Sequence, residues 1–88
     1  MKFLTTWSYR PETRDAVQAR FKESGGDKPP EGIKLIGRWH AIGAARGVHI
    51  CECDDPALIA KWAQIWTDLL SIEIYPAMDD EEVAKWLQ

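Results

Sequence analysis

The order in which alternating apolar residues, prolines and glycines follow one another leaves few folds open to this chain. Lys2-Phe3-Leu4-Thr5-Thr6-Trp7-Ser8-Tyr9 is rich in aromatic and β-branched residues. It puts Phe3, Thr5, Trp7 and Tyr9 on one side and Leu4, Thr6 and Ser8 on the other, which predicts a first strand. Pro11 suits the opening turn of a helix, where its missing N–H costs nothing, and Glu12 complements the positive end of the dipole. The helix carries Ala16, Val17, Arg20 and Phe21, and Ser24-Gly25-Gly26 supplies a left-handed stop.

Asp27 to Gly32 holds two prolines and reads as a stiff loop. Ile33 to Ile42 then alternates Leu35, Gly37, Trp39 and Ala41 against Lys34, Ile36, Arg38 and His40. Gly43 to Gly47 makes a hairpin into a third strand, Val48 to Cys53. Asp55-Pro56 is the sharpest local signal, an N-cap followed by a proline at the first helical position. The helix it starts bears an apolar stripe of Leu58, Trp62, Ile65, Trp66 and Leu69. Ser71 to Tyr75 is a short fourth strand ended by Pro76. Asp79 and Glu82 have capping-box spacing for a last helix, with Val83, Trp86 and Leu87 on its apolar side.

Strand–helix–strand, twice over, is the ferredoxin-like βαββαβ arrangement: an α+β sandwich with a four-stranded antiparallel sheet and both helices on one face, here with a short extra C-terminal helix. With 88 residues there is room for one domain, 1–88. If the helices cover one face, water should meet a polar opposite face. Instead Leu4 opposes Phe3 and Trp7, Ile36 opposes Leu35 and Trp39, and Cys51 opposes Val48 and Ile50. Two apolar faces need two covers, and a second copy is the simplest second cover, so a homodimer is expected.

The formal net charge is −3 with both signs interspersed, so there is no footprint for nucleic acid. No apolar run is long enough to cross a membrane. Met1-Lys2-Phe3-Leu4 leads directly into Thr5 and Thr6 without an apolar leader core, and Cys51 and Cys53 are placed as free thiols, so a cytoplasmic protein is expected. Gly25-Gly26 follows a helix instead of starting one, which removes a phosphate loop, and there is no serine nucleophile elbow.

Two clusters carry the chemistry. Arg38 and His40 share a strand face, and a strand neighbour, His49 or Glu52, brings a third polar group within reach. Such a set suits a carboxylate or enolate, with His40 as acid or base and Arg38 as anion stabiliser. Its plainer explanation is a polar rim to the sheet. Trp7, Tyr9 and Trp39, also spaced by two, suit an aromatic pocket for a planar ligand between sheet and helices, against ordinary core packing. Trp62 and Trp66 share a helix face and read as core. His49, Cys51 and Cys53 alternate along one strand, which sets them in a line where zinc or copper needs them gathered, so neither a metal nor another cofactor is expected.

Through Thr6-Trp7-Ser8-Tyr9-Arg10-Pro11, Pro30-Glu31-Gly32-Ile33, Gly37-Arg38-Trp39 and Cys53-Asp54-Asp55-Pro56, nearly the whole chain resembles a family of small bacterial proteins known only as a domain of unknown function. That family is similar to the dimeric α+β barrel superfamily, in which two ferredoxin-like sheets pack across the dimer axis. The superfamily includes cofactor-free monooxygenases, isomerases, cyclases, haem-dependent enzymes and small-molecule binding proteins, so the resemblance implies a fold and a dimer without choosing a reaction. The expectation is a homodimer that binds a small aromatic or acidic molecule. The alternatives are a cofactor-free enzyme using His40, and a structural or protein-binding dimer with no ligand.

Overall fold

In a computed structural model describing residues 1–88, β1 (Lys2–Ser8) pairs antiparallel with β3 (Arg46–Glu52) on one side and β4 (Ser71–Ala77) on the other. β2 (Lys34–His40) pairs antiparallel with β3, giving the order β2-β3-β1-β4. That is the ferredoxin-like order, with the two halves interleaved. The long helices are α1 (Arg14–Glu23) and α2 (Pro56–Gln64), and a short α3 (Asp80–Trp86) closes the chain. No helix is long and apolar enough to cross a membrane.

Local chemistry sets the helix ends. Pro11–Thr13 forms a 3-10 turn ahead of α1, because the Thr13 N–H bonds back three residues to the Arg10 carbonyl at 3.0 Å. α1 stops in a Schellman pattern, with the Gly26 N–H on the Phe21 carbonyl and the Gly25 N–H on that of Lys22; both glycines have positive φ. The Asp55 carboxylate accepts from the Ala57 N–H at 2.9 Å, and Asp79 and Glu82 complete their capping box. Pro76 lies within β4, not after it. β4 is an edge strand, where a missing N–H leaves no partner unsatisfied.

The packed core occupies one end of the domain. Phe3, Cys51, Ile33, Cys53, Ile59 and Trp62 form it, with Leu35, Leu58 and Ile74 against them. α2 turns Ile59 and Trp62 inward and leaves Leu58 half-buried, and in the turns just after it Trp66 is buried and Ile65 exposed. The buried stripe therefore centres one residue away from the expected one, on steps of three and four from Ile59. α1 buries only Val17 and is tied to the segment after α2 by Arg20. The Arg20 guanidinium reaches both Asp68 carboxylate oxygens at 2.6 and 2.8 Å and the Ile65 carbonyl at 2.8 Å.

The alternation expected for β2 fails at one point. Leu35 pairs with Cys51, but Gly37 pairs with Ile50, so Ile36 is an extra residue that bulges from the ladder. Past the bulge the faces exchange. Arg38 and His40 turn toward the helices, while Trp39 turns to the uncovered face and is 57% exposed. There its indole lies over Gly37, where an added Cβ would sit 2.3 Å from the ring. Leu4, Val48, Ile50 and Tyr75 share that face.

Candidate functional site

The half of the sheet beyond the packed core does not meet the helices directly. A cavity of about 620 Å³ opens between them, a size typical of small-molecule sites. Its floor is Thr5 and Trp7 of β1, His49 of β3, Ile72 and Ile74 of β4, and Arg38 and His40 of β2. Its roof is Val17 and Phe21 of α1 with Trp62 of α2 and, just beyond that helix, Trp66. Tyr9, Pro11 and the hairpin residues Ala41 and Gly43 also line it.

Trp7 can enter this floor because β3 offers no side chain beneath it. A Cβ on Gly47, the residue paired with Trp7, would fall 2.2 Å from the indole. The ring therefore rests on bare backbone and reaches His40 and His49, each with centroids 5.7 Å away. His40 also meets Phe21 edge-on at 5.5 Å, and His49 stacks on Trp62 at 4.9 Å with planes 14° apart. Both imidazoles are thus held by rings.

His49 is 8% exposed, and burial pushes its pKa down to about 4; the nearby Arg38 charge acts the same way, while Asp27 opposes it. Its imidazole is neutral at pH 7. Arg38 is clamped at the cavity wall, donating to the Gly26 carbonyl at 2.8 Å and the Asp27 carbonyl at 2.9 Å, with the Asp27 carboxylate at 3.5 Å. The other Asp27 carboxylate oxygen accepts the Trp62 indole N–H at 3.0 Å. Asp27 holds this place with φ of 49°, in the left-handed region, so one aspartate joins the α1 stop, the sheet and α2. Burial lowers the Arg38 pKa and Asp27 opposes that.

The expected residues therefore divide. Trp7, Tyr9, Arg38, His40 and His49 come together around the cavity. Trp39 does not, because the bulge at Ile36 sends it to the other face. Glu52 does not either: it stands beside Lys2 and Lys34 at the far end of the sheet, 3.6 Å from the Lys2 ammonium. The Lys2 ammonium also reaches Glu82 at 3.1 Å and Asp79 at 3.3 Å, which raise its pKa and fasten the start of α3. No three His, Cys, Asp or Glu side chains gather closely enough to hold a metal ion.

Several wall residues were absent from the expected site. Trp62 and Trp66 are buried as their periodicity requires, but periodicity cannot tell packing against a neighbour from packing against a void. Thr5 had a legible signal, a polar residue at an inward position between Phe3 and Trp7. Asp27 had none beyond its place after two glycines. The family described as a domain of unknown function (DUF3303) matches residues 1–88. No curated protein matches the chain.

Proposed function

Because the chain belongs to the DUF3303 family, whose description assigns no activity, we propose from the site itself that it is a homodimeric small-molecule-binding protein whose cavity between sheet and helices takes a planar organic ligand. The observation that carries this reading is the cavity. Its walls place Trp7, Phe21, Trp62 and Trp66 around about 620 Å³ in a chain of 88 residues. Ring faces and edges left to water are an unfavourable use of so much apolar surface, and an aromatic guest recovers it. Acid–base catalysis by His40 would need a group to orient the imidazole, and its neighbours are the rings of Trp7 and Phe21, so the geometry supports binding better than catalysis.

The uncovered sheet face supports self-association. Leu4, Val48, Ile50, Trp39 and Tyr75 form an apolar surface on it, and a second copy turned about a two-fold axis would present the same surface in return. Two sheets so paired would make the α+β barrel that the sequence resemblance implies. The free thiols of Cys51 and Cys53 support a reducing, cytoplasmic setting, and the net charge of −3 supports no nucleic-acid partner. Thermal-shift and tryptophan-fluorescence screening with planar aromatic compounds, on the wild type and His40→Ala, tests the binding function. Stabilisation of the wild type by at least one such compound is expected; none stabilising either protein would overturn it.

A further inference from the structure

Among the polar side chains of the cavity wall, His49 alone is deep, unpaired and open to the cavity. It is 8% exposed, no hydrogen bond reaches either ring nitrogen, and neither nitrogen is sealed off by packing. The Thr5 hydroxyl and the Trp66 indole N–H also lack partners, but packing closes both off from anything the cavity could hold. Arg38 is clamped to Gly26 and Asp27. Tyr9, Gln18 and His40 stand nearer the surface, Tyr9 half-buried and the other two exposed, where water can serve them. The His49 ring is also fixed. It stacks on Trp62 and tilts against Trp7, with Thr5 and Arg38 paired beside it across the ladder. Stacking covers a face of the imidazole and leaves free the edge that carries its nitrogens. A guest that displaces water from this edge must replace the hydrogen bonds that water made, and an unsubstituted ring has nothing to offer.

We propose that His49 is the polar anchor of the cavity and that the ligand is a planar aromatic alcohol of the phenol or naphthol type, its hydroxyl bonded to the edge of the His49 ring. This rests on the cavity being a ligand site. A neutral imidazole carries one N–H and one bare nitrogen, and a hydroxyl can accept from the first or donate to the second, so it fits whichever faces the cavity. A phenolic O–H is also the more acidic kind of hydroxyl, which makes it a good donor to a basic nitrogen. A ketone or a carboxylate can only accept, and so fits the N–H alone. Adding a proton to suit a carboxylate would set a second cation near Arg38 in a buried place, which burial and Arg38 oppose more strongly than Asp27 favours it. His49 thus points to a different ligand from the acid that Arg38 and His40 suggest in the sequence.

The test is a calorimetric titration at neutral pH with four probes sharing one ring system: naphthalene, 2-naphthol, 2-acetonaphthone and 2-naphthoate. The naphthol should bind about tenfold more tightly than naphthalene, the effect of one net hydrogen bond, and more tightly than the ketone or the carboxylate. In His49→Phe, which keeps a ring to stack on Trp62 and removes both nitrogens, the ratio of naphthol to naphthalene affinity should fall to about one. If that variant loses its fold by circular dichroism, NMR of the imidazole nitrogens in the wild type decides the matter: the His49 signals should move with 2-naphthol and much less with naphthalene. Equal binding of naphthol and naphthalene, tightest binding by the ketone or the carboxylate, a preference for naphthol that survives in folded His49→Phe, or unmoved His49 signals would overturn the inference while leaving the cavity a ligand site. Binding by none of the four refutes the cavity as a ligand site, and the inference with it.

Discussion

Acidification should unfold this protein in a pH range that carboxylates alone do not explain, and His49 is the cause. Its imidazole is buried against Trp62 with a pKa of about 4, whereas in the unfolded chain it returns to about 6.5. Between these values the unfolded state holds a proton that the native state refuses, so stability falls as pH falls. At about 1.4 kcal/mol per unit, the loss between pH 7 and pH 4.5 comes to about 2.5 kcal/mol, a large share of what a small domain possesses. Asp68, Asp79 and Glu82 have lowered pKa values, through Arg20 for Asp68, the Glu82 N–H for Asp79 and Lys2 for Glu82. Their contribution is present above the unfolded carboxylate range and disappears below about pH 4.5, beneath the His49 window. Urea unfolding followed by tryptophan fluorescence at half-unit steps from pH 7.5 to 4.5 measures the slope. His49→Gln should flatten it and leave the steeper fall below. Equal slopes in the two proteins, or a His49 imidazole titrating near 6.5 by NMR in the folded state, would refute the reasoning.

Gly47→Val should drive the Trp7 indole from its place, lowering stability by about 1–3 kcal/mol as overpacking does, measured by urea unfolding, and abolishing the thermal shift produced by any planar aromatic compound that stabilises the wild type. Asp27→Ala removes the Trp62 acceptor and the carboxylate beside Arg38 together, so its urea midpoint should fall by more than that of Asp27→Asn, which keeps an oxygen for Trp62 and suits a positive φ. Equal midpoints for the two variants would show that the oxygen on Trp62 contributes nothing, and a midpoint for Asp27→Asn equal to that of the wild type would show that the carboxylate charge does nothing for Arg38. Leu4→Glu and Ile50→Glu each set a charge on the uncovered sheet face and should yield monomers by sedimentation, against the dimer expected of the wild type; a monomeric wild type would refute the proposed self-association. Asp55→Ala should cost about 1 kcal/mol through loss of the cap on the Ala57 N–H, read by thermal melting.

What the sequence made legible was local. Asp55-Pro56, the Asp79 and Glu82 pair and Gly25-Gly26 act through bonds to residues two to five positions away, so short stretches of chain state them in full. The strand order was legible for a different reason, since two βαβ halves joined by a hairpin have few ways to interleave. Trp39 was misplaced because strict alternation is blind to an inserted residue, and nothing in Leu35-Ile36-Gly37 marks Ile36 as the bulge. Glu52 was misplaced because a strand pattern gives a face but not the distance along it. The cavity was illegible altogether. It depends on α1 burying one residue, Val17, and standing off from the sheet, a fact about spacing between elements and not about any element's own pattern.

Ile36 gives the protein an arithmetic vulnerability. Each residue of β2 after it owes its direction to this one unpaired position, so a ladder that took Ile36 in and slipped by one residue would exchange the interior and exterior of half a strand without altering any side chain. Arg38 would leave Asp27, His40 would leave Phe21, and Trp39 would be driven into a space already floored by Trp7. The slipped chain would have the same sequence and the same helix signals, yet the floor of its cavity would have lost Arg38 and His40. Removing Ile36 altogether would instead close the bulge, keep Leu35 opposite Cys51 and Gly37 opposite Ile50, and leave both faces of β2 as they are.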